Sequence, residues 1–332
     1  MNRSWECLGN ISGLQSVYVV MTHHVQFGLD TFADVPAGMT NPEAIRAVVE
    51  EGVRADQVGV DIFATAVTVL STDDPVRVYQ RFATLDGISN GRAELVLGRG
   101  SFTDSFPLFG YDLADYDELF NEKFDLMAKL LPGAPVTWSG TLRSALDNVE
   151  VYPKTAEGLR AWVGVGGSPE SVVRSVRYRI PMILAIIGGN PMRFEPYVDL
   201  YRRAQRELGV TEPMPLGIHS PGHIAESDEE AIAQYWPGFR ELRTTIGRER
   251  GWPAPRYEDY LAEVKAGSLY VGSPDTVAVK MAKTIRGLGA DRFSLVYQAA
   301  QPGLGMQNVE LYGTEVIPRV RELLAGDAAG AA

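Results

Sequence analysis

Cysteine is almost absent from this chain: one residue, Cys7, in 332. A single thiol excludes a disulfide framework and fits a reducing compartment, so a cytoplasmic setting is expected. Histidine is nearly as scarce. The four present (His23, His24, His219, His223) and the lone cysteine show no zinc-type spacing, and no metal site is expected. No apolar run reaches the length needed to cross a bilayer, so no membrane partner is expected. Positive charge is short as well: 31 Lys and Arg against 42 Asp and Glu give a formal net charge of −11. That balance argues against nucleic acid as a partner. Several motifs are missing too: no G-x-G-x-x-G follows the first strand, and there is no Walker loop, nucleophile elbow or Ser-His-Asp set.

What is present is a steady alternation of β-rich runs and helical patterns with no clear linker, which indicates one parallel-sheet domain. Val25–Phe32 reads as the first strand, and Asn41 with Pro42 opens a helix to about Val58. Val60–Leu70 is one long apolar run. Asp74–Pro75 starts the next helix and Ala93–Leu97 the next strand. Tyr116–Leu131 is helical, and Val136–Val151 is a polar excursion with a hairpin near Ser139–Gly140. Trp252–Ser268 reads as an irregular insertion, Phe293–Tyr297 as the last strand and Val309–Leu324 as the last helix. About seven strands come close to the eight of a TIM barrel, with a doubly wound open sheet as the alternative. Residues 1–22 are expected to be an extension outside the fold, 23–325 a single barrel domain, and 326–332 a disordered tail.

The chemistry concentrates at Leu159–Ile187, which reads as strand, glycine turn, helix and strand. Ser168 stands at an N-cap with Pro169 at the first helical position, and Ser171 follows in the first turn. A glycine turn lets a ligand approach the backbone, and the N–H groups of a helix start face an anion. Arg99, just after the preceding strand, adds a fork of donors suited to phosphate; the plainer reading is a surface ion pair, for instance with Asp104. Val271–Val277 repeats the Ser-Pro-acid-hydroxyl pattern without an arginine nearby, and is expected to be a structural helix start only. His219 and His223 lie four apart on a strand. Either could act as a general acid or base, or serve as a hydrogen-bonded wall residue. Pro221 and Gly222 between them predict a bend.

The segments AVTVLSTDDPVRVYQRFATLDGISNGRAELVLGRGSF, FPLFGYD, and VYPK followed by WVGVGGSPESV resemble the bacterial luciferase-like flavin-dependent monooxygenases over about Val25–Leu324. The resemblance implies a luciferase-like TIM (β/α)8-type barrel that binds reduced FMN, or a deazaflavin in some relatives. It implies a small organic substrate and dioxygen, a flavin reductase as partner, and a homodimer in many members. By position it assigns Arg99 to the flavin phosphate and Gly167, Ser168 and Ser171 to the phosphate turn. Gly98 falls beneath the reactive ring, and Val67 on a strand lining the flavin face. The chain departs from the pattern after its second strand. Asp61-Ile62-Phe63-Ala64 runs straight into Thr65-Ala66-Val67, so about one βα unit is shortened or missing, and the family's Glu-His-His segment with it. Val60–Leu70 is expected to close the ring as one strand. The alternative is a non-catalytic flavin-binding protein or an inactive truncated relative.

Overall fold

The computed structural model describes residues 25–330, apart from 33, 65, 101, 102 and 252. The expected extension at 1–22, Cys7, His23 and His24 lie outside the described residues.

Along the chain the elements are β1 (Gln26–Thr31), α1 (Asn41–Gln57), β2 (Ile62–Ala64), β3 (Thr68–Val69), α2 (Pro75–Ser89), β4 (Glu94–Gly98), α3 (Ser105–Phe109), α4 (Tyr116–Leu130), β5 (Val136–Trp138), β6 (Leu146–Val149), β7 (Arg160–Val165), α5 (Pro169–Arg177), β8 (Met182–Ala185), α6 (Glu195–Glu207), β9 (Leu216–Ile224), α7 (Asp228–Arg250), α8 (Tyr257–Ala266), β10 (Tyr270–Gly272), α9 (Pro274–Leu288), β11 (Arg292–Tyr297), α10 (Leu304–Leu311) and α11 (Ile317–Gly330). All pairings in the main sheet are parallel, in the order β2-β1-β11-β9-β8-β7-β4-β3, with β10 beside β9. β5 and β6 form the separate antiparallel hairpin that the polar excursion predicts.

The seam of this curled sheet corrects one expectation. Val60–Leu70 is not a single strand. β2 pairs with β1 (Ile62 with Gly28, Ala64 with Asp30), and β3 pairs with β4 (Thr68 with Leu97, Val69 with Gly98), at opposite ends of the strand order. Only residues 65–67 join them. Two neighbouring parallel strands need a crossover of a dozen or more residues, so this link forbids direct pairing, and the chain steps across the gap instead. Among the described residues no helix covers the seam, and apolar side chains on the helices flanking it stay exposed: Ile45, Val49 and Val53 on α1, Leu85 and Ile88 on α2. Ala66 and Val67 turn inward and pack with Val96, Trp162 and Ile183.

Alternation along the strands sorts two cores. Phe27 and Leu29, Leu95 and Leu97, Val163 and Val165, and Phe293 and Leu295 face the helices in the main cluster. Their neighbours fill the barrel in layers. At the base, Arg292 stacks 4.1 Å over the Trp162 ring and donates to Glu94 (2.7 Å) and Gln26 (2.8 Å), so the buried charge is paired. The apolar Val96, Trp162 and Ile183 come next, and Asp30 and His219 lie nearer the strand ends.

Four local readings shift. Thr40 is the cap of α1, closing a capping box with Glu43. Tyr257–Ala266 is a helix rather than irregular chain, because Tyr260 completes an aromatic cluster with Tyr235, Trp236 and Phe239. β9 runs unbroken through Pro221 and Gly222, whose partners are Val296, Tyr297 and Tyr270. α11 continues past Gly326 to Gly330, where a loose tail is expected from composition.

Candidate functional site

The strand ends of β4 and β7 carry the cluster that the sequence singles out. After β7 the chain turns at Gly167, whose φ of 128° favours glycine, and the Tyr197 hydroxyl donates to its carbonyl at 2.8 Å. Ser168 is extended (φ −99°, ψ 118°) and caps α5: its Oγ accepts the Ser171 N–H at 3.3 Å. Val172 and Val176 are fully buried, each side chain contributing about 1.5–3 kcal/mol of burial that fixes the helix against the sheet. The first turn is left at the rim.

Arg99, leaving β4, donates from Nη1 to Asp117 at 2.6 Å; its carboxylate partner is Asp117 rather than Asp104. Its guanidinium carbon lies 5.2 Å from the Phe120 ring centre. Arg174, one turn into α5, lies 5.1 Å from the same ring and donates from Nη2 to Asn121 at 2.6 Å. Phe120 therefore carries two guanidinium groups. Burial, and then the like charge of Arg99, push the Arg174 guanidinium down from its usual range, and its Nη1 is buried without a hydrogen-bond partner. Glu170 supplies the only negative charge of this first turn: its carboxylate accepts the Ser168 hydroxyl at 2.7 Å. That hydrogen bond first, then its own backbone N–H, and then Arg99 and Arg174 hold its carboxyl below the ordinary range. An exposed carboxylate thus sits where the helix start and two cations favour an anion.

Sequence reasoning missed Arg174. The signal that could have found it is the Glu170–Arg174 spacing of four on a helix whose start already drew attention.

The structure brings Val67 and Gly98 together, but Val67 lies in the seam link and not on a strand. A Cβ at Gly98 would meet the Val67 side chain at 2.7–2.9 Å, and one at Gly164 would meet it at 3.0 Å. The isopropyl group thus fills the space beside both glycines.

The two histidines separate. His223 has both ring nitrogens engaged, Nε2 with Gln234 Oε1 (2.7 Å) and Nδ1 with Asn308 Nδ2 (2.9 Å), and it stacks on Tyr235. Burial pushes its pKa down, so it is a neutral wall residue. His219 instead places Nε2 3.0 Å from Asp30 Oδ2, off line for a hydrogen bond. The pair stands across the sheet from β4, on β9 and β1.

The second Ser-Pro start, at α9, is closed. Asp228 accepts the Ser273 N–H (2.7 Å) and the Thr276 hydroxyl (2.9 Å), so the helix start is satisfied from within. A cavity of about 790 Å³ opens between α8 and α9, outside the barrel. Its Lys280 is committed to structure, donating to the carbonyls of Val264 (2.6 Å) and Leu269 (2.7 Å). Among the described residues no group of His, Cys, Asp and Glu could hold a metal ion, and no helix is long and apolar enough to cross a membrane.

Comparison with known proteins places this architecture. The chain is 28% identical over 200 residues to the alkanal monooxygenase alpha chain of a Kryptophanaron alfredi symbiont, covering 59% of this chain and 51% of that one. It thus spans about half the length of that relative. It is 24% identical over 293 residues to limonene 1,2-monooxygenase of Rhodococcus erythropolis, covering 84% and 73%. Among solved structures, the oxygenating constituent of 3,6-diketocamphane monooxygenase from Pseudomonas putida, in complex with FMN, superposes with a TM-score of 0.70 at 17% identity, covering 90% of this chain and 99% of that one. The family model described as luciferase-like monooxygenase matches residues 62–292, well over half of the sequence. The chain belongs to the luciferase-like monooxygenase family.

Proposed function

We propose that the protein is a flavin-dependent monooxygenase that takes reduced FMN from a separate reductase and uses dioxygen to oxygenate a small organic substrate. The observation that carries this reading is the convergence of Arg99 and Arg174 on Phe120 beside the Ser168-capped start of α5. The residues present fit a phosphate: two guanidinium groups, one with an unpartnered nitrogen, and a serine-capped helix start met by an exposed carboxylate, Glu170.

Arg99 and Arg174 would hold the phosphate, and Ser168 and Ser171 would fix its orientation. When bound, reduced flavin supplies the electrons that activate dioxygen. Val67, beside Gly98, would offer a bound flavin an apolar surface. The Val96, Trp162 and Ile183 layer packed against it would keep water from the site. The family names, alkanal and limonene monooxygenase among the relatives, support oxygenation of a small apolar compound.

The test is an anaerobic titration with reduced FMN, followed by admission of oxygen in the presence of aldehyde, terpene and sulfonate substrates. Binding that Arg99→Ala weakens, together with an oxygenated product, supports the proposal. Binding without product at catalytic rates converts it to a non-catalytic flavin protein. Capture of deazaflavin in place of FMN would make the protein a deazaflavin oxidoreductase, and no binding of either cofactor removes the reading.

A further inference from the structure

Inside the barrel, on the wall across the sheet from the two arginines, lies a polar pair that the fold does not need. Asp30 is on β1 and His219 on β9, separated only by β11 in the strand order. Their side chains are 5% and 9% exposed, and Asp30 Oδ2 and His219 Nε2 are 3.0 Å apart. Yet Asp30 Oδ1 and His219 Nε2 have no hydrogen-bond partner. Their paired neighbours across the ladders are Val296 and Ala64 for Asp30, and Ser294 and Ala185 for His219.

A buried carboxylate oxygen left unsatisfied costs stability, and an apolar pair of the same volume would pack without that cost. The base of the same barrel shows the contrast, where Glu94 Oε2 accepts from Arg292 and Trp162 and Oε1 faces Arg160 at 3.5 Å. Asp30 sits one residue from the carboxyl end of β1, on the side of the barrel where ligands of this fold meet the protein. His223, the other histidine of the strand, is saturated and unable to take part.

We propose that Asp30 and His219 are the proton-handling pair of the cofactor site. Asp30 Oδ1 accepts the hydrogen bond of an N–H or O–H donor on the ligand above it. When that donor loses its proton, the X–H bond breaks with its electron pair left on X. The His219 ring, off line at rest, turns Nε2 toward Asp30 Oδ2; the proton passes across the carboxylate, and an N–H bond forms at His219 Nε2. Asp30 ends as it began, ionised, and faces the imidazolium it has stabilised. The inference rests on the flavin reading above.

The experiment uses the full chain with FMN as the probe, in Asp30→Asn, Asp30→Ala and His219→Gln. Two quantities are read: the affinity for reduced relative to oxidised FMN, and the rate and solvent deuterium isotope effect of reoxidation of the bound reduced flavin by dioxygen. The native protein is expected to show an isotope effect that both Asp30 variants and His219→Gln lose, with reoxidation slowed about 100-fold. Oxidised FMN should still bind within about threefold of native, because the phosphate contacts are untouched, while Asp30→Ala lowers the relative affinity for reduced FMN about tenfold. Added formate should restore part of the Asp30→Ala rate, and chloride should not. If Asp30→Ala fails to fold, the same losses in His219→Gln carry the proposal. Variants with the native rate, isotope effect and affinity ratio overturn it and leave the flavin reading standing. A native protein that binds no flavin overturns both.

Discussion

Two helix starts in this molecule share a Ser-Pro-acid-hydroxyl pattern and differ in what answers them. At α9 the answer is internal and permanent: Asp228 takes the Ser273 N–H and the Thr276 hydroxyl. At α5 the answer is a carboxylate of the same turn, Glu170, exposed at the surface, with Arg99 and Arg174 nearby. One start is finished as structure. The other sets two guanidinium groups against two exposed carboxylates, Asp117 and Glu170, whose place a phosphate dianion would take. The difference lies in neighbours far away in sequence: a strand end and α4 meet α5, whereas the start of α7 meets α9.

The comparison breaks first if the arginines prove idle. Arg99→Ala should weaken FMN binding by about 30–800-fold, from loss of charge-assisted hydrogen bonds of roughly 2–4 kcal/mol, read by fluorescence titration. Arg174→Ala should act in the same direction, by about tenfold or more, since its buried Nη1 lacks a partner. Next comes the opposite site. Asp228→Ala should leave FMN affinity unchanged but destabilise the fold by about 1–2 kcal/mol, through two lost hydrogen bonds at the α9 start, read by denaturant melts. Glu170→Gln should do the reverse. With the competing carboxylate gone, FMN affinity should rise about two- to fivefold, and the melting midpoint should not move.

The smallest effect concerns pH. Burial would raise the Asp228 carboxyl, but hydrogen bonds from Ser273 and Thr276 outweigh it and hold the group below its ordinary 3.8. Its contribution is therefore complete above that value and lost as pH falls below it. Amide exchange in the first turn of α9 should accelerate in acid more than Asp228→Asn allows, and equal acceleration in both proteins would contradict the assignment.

Much of this was legible in the sequence, for stated reasons. Glycine, an N-capping serine and proline mark the α5 start without ambiguity, and so does Arg99 after an apolar run. Arg174 was not legible, because a charged residue mid-helix reads as solvated surface until Phe120 and Phe124 from α4 are placed beneath it. Asp30 carries no signal of its own within the Val25–Phe32 strand, and its meeting with His219 depends on β11 lying between β1 and β9. The seam was misread for a different reason. Val60–Leu70 has the composition of one strand, and only the order of pairing shows that its two halves belong to opposite edges of the sheet.

The phosphate grip is tested most directly by the ratio of FMN to riboflavin affinity in the native protein and in Arg99→Ala/Arg174→Ala. The account predicts a native ratio of about 100 or more, as two charge-assisted contacts imply, falling to near unity in the double variant while riboflavin binding holds. A native protein that binds FMN and riboflavin alike would contradict it.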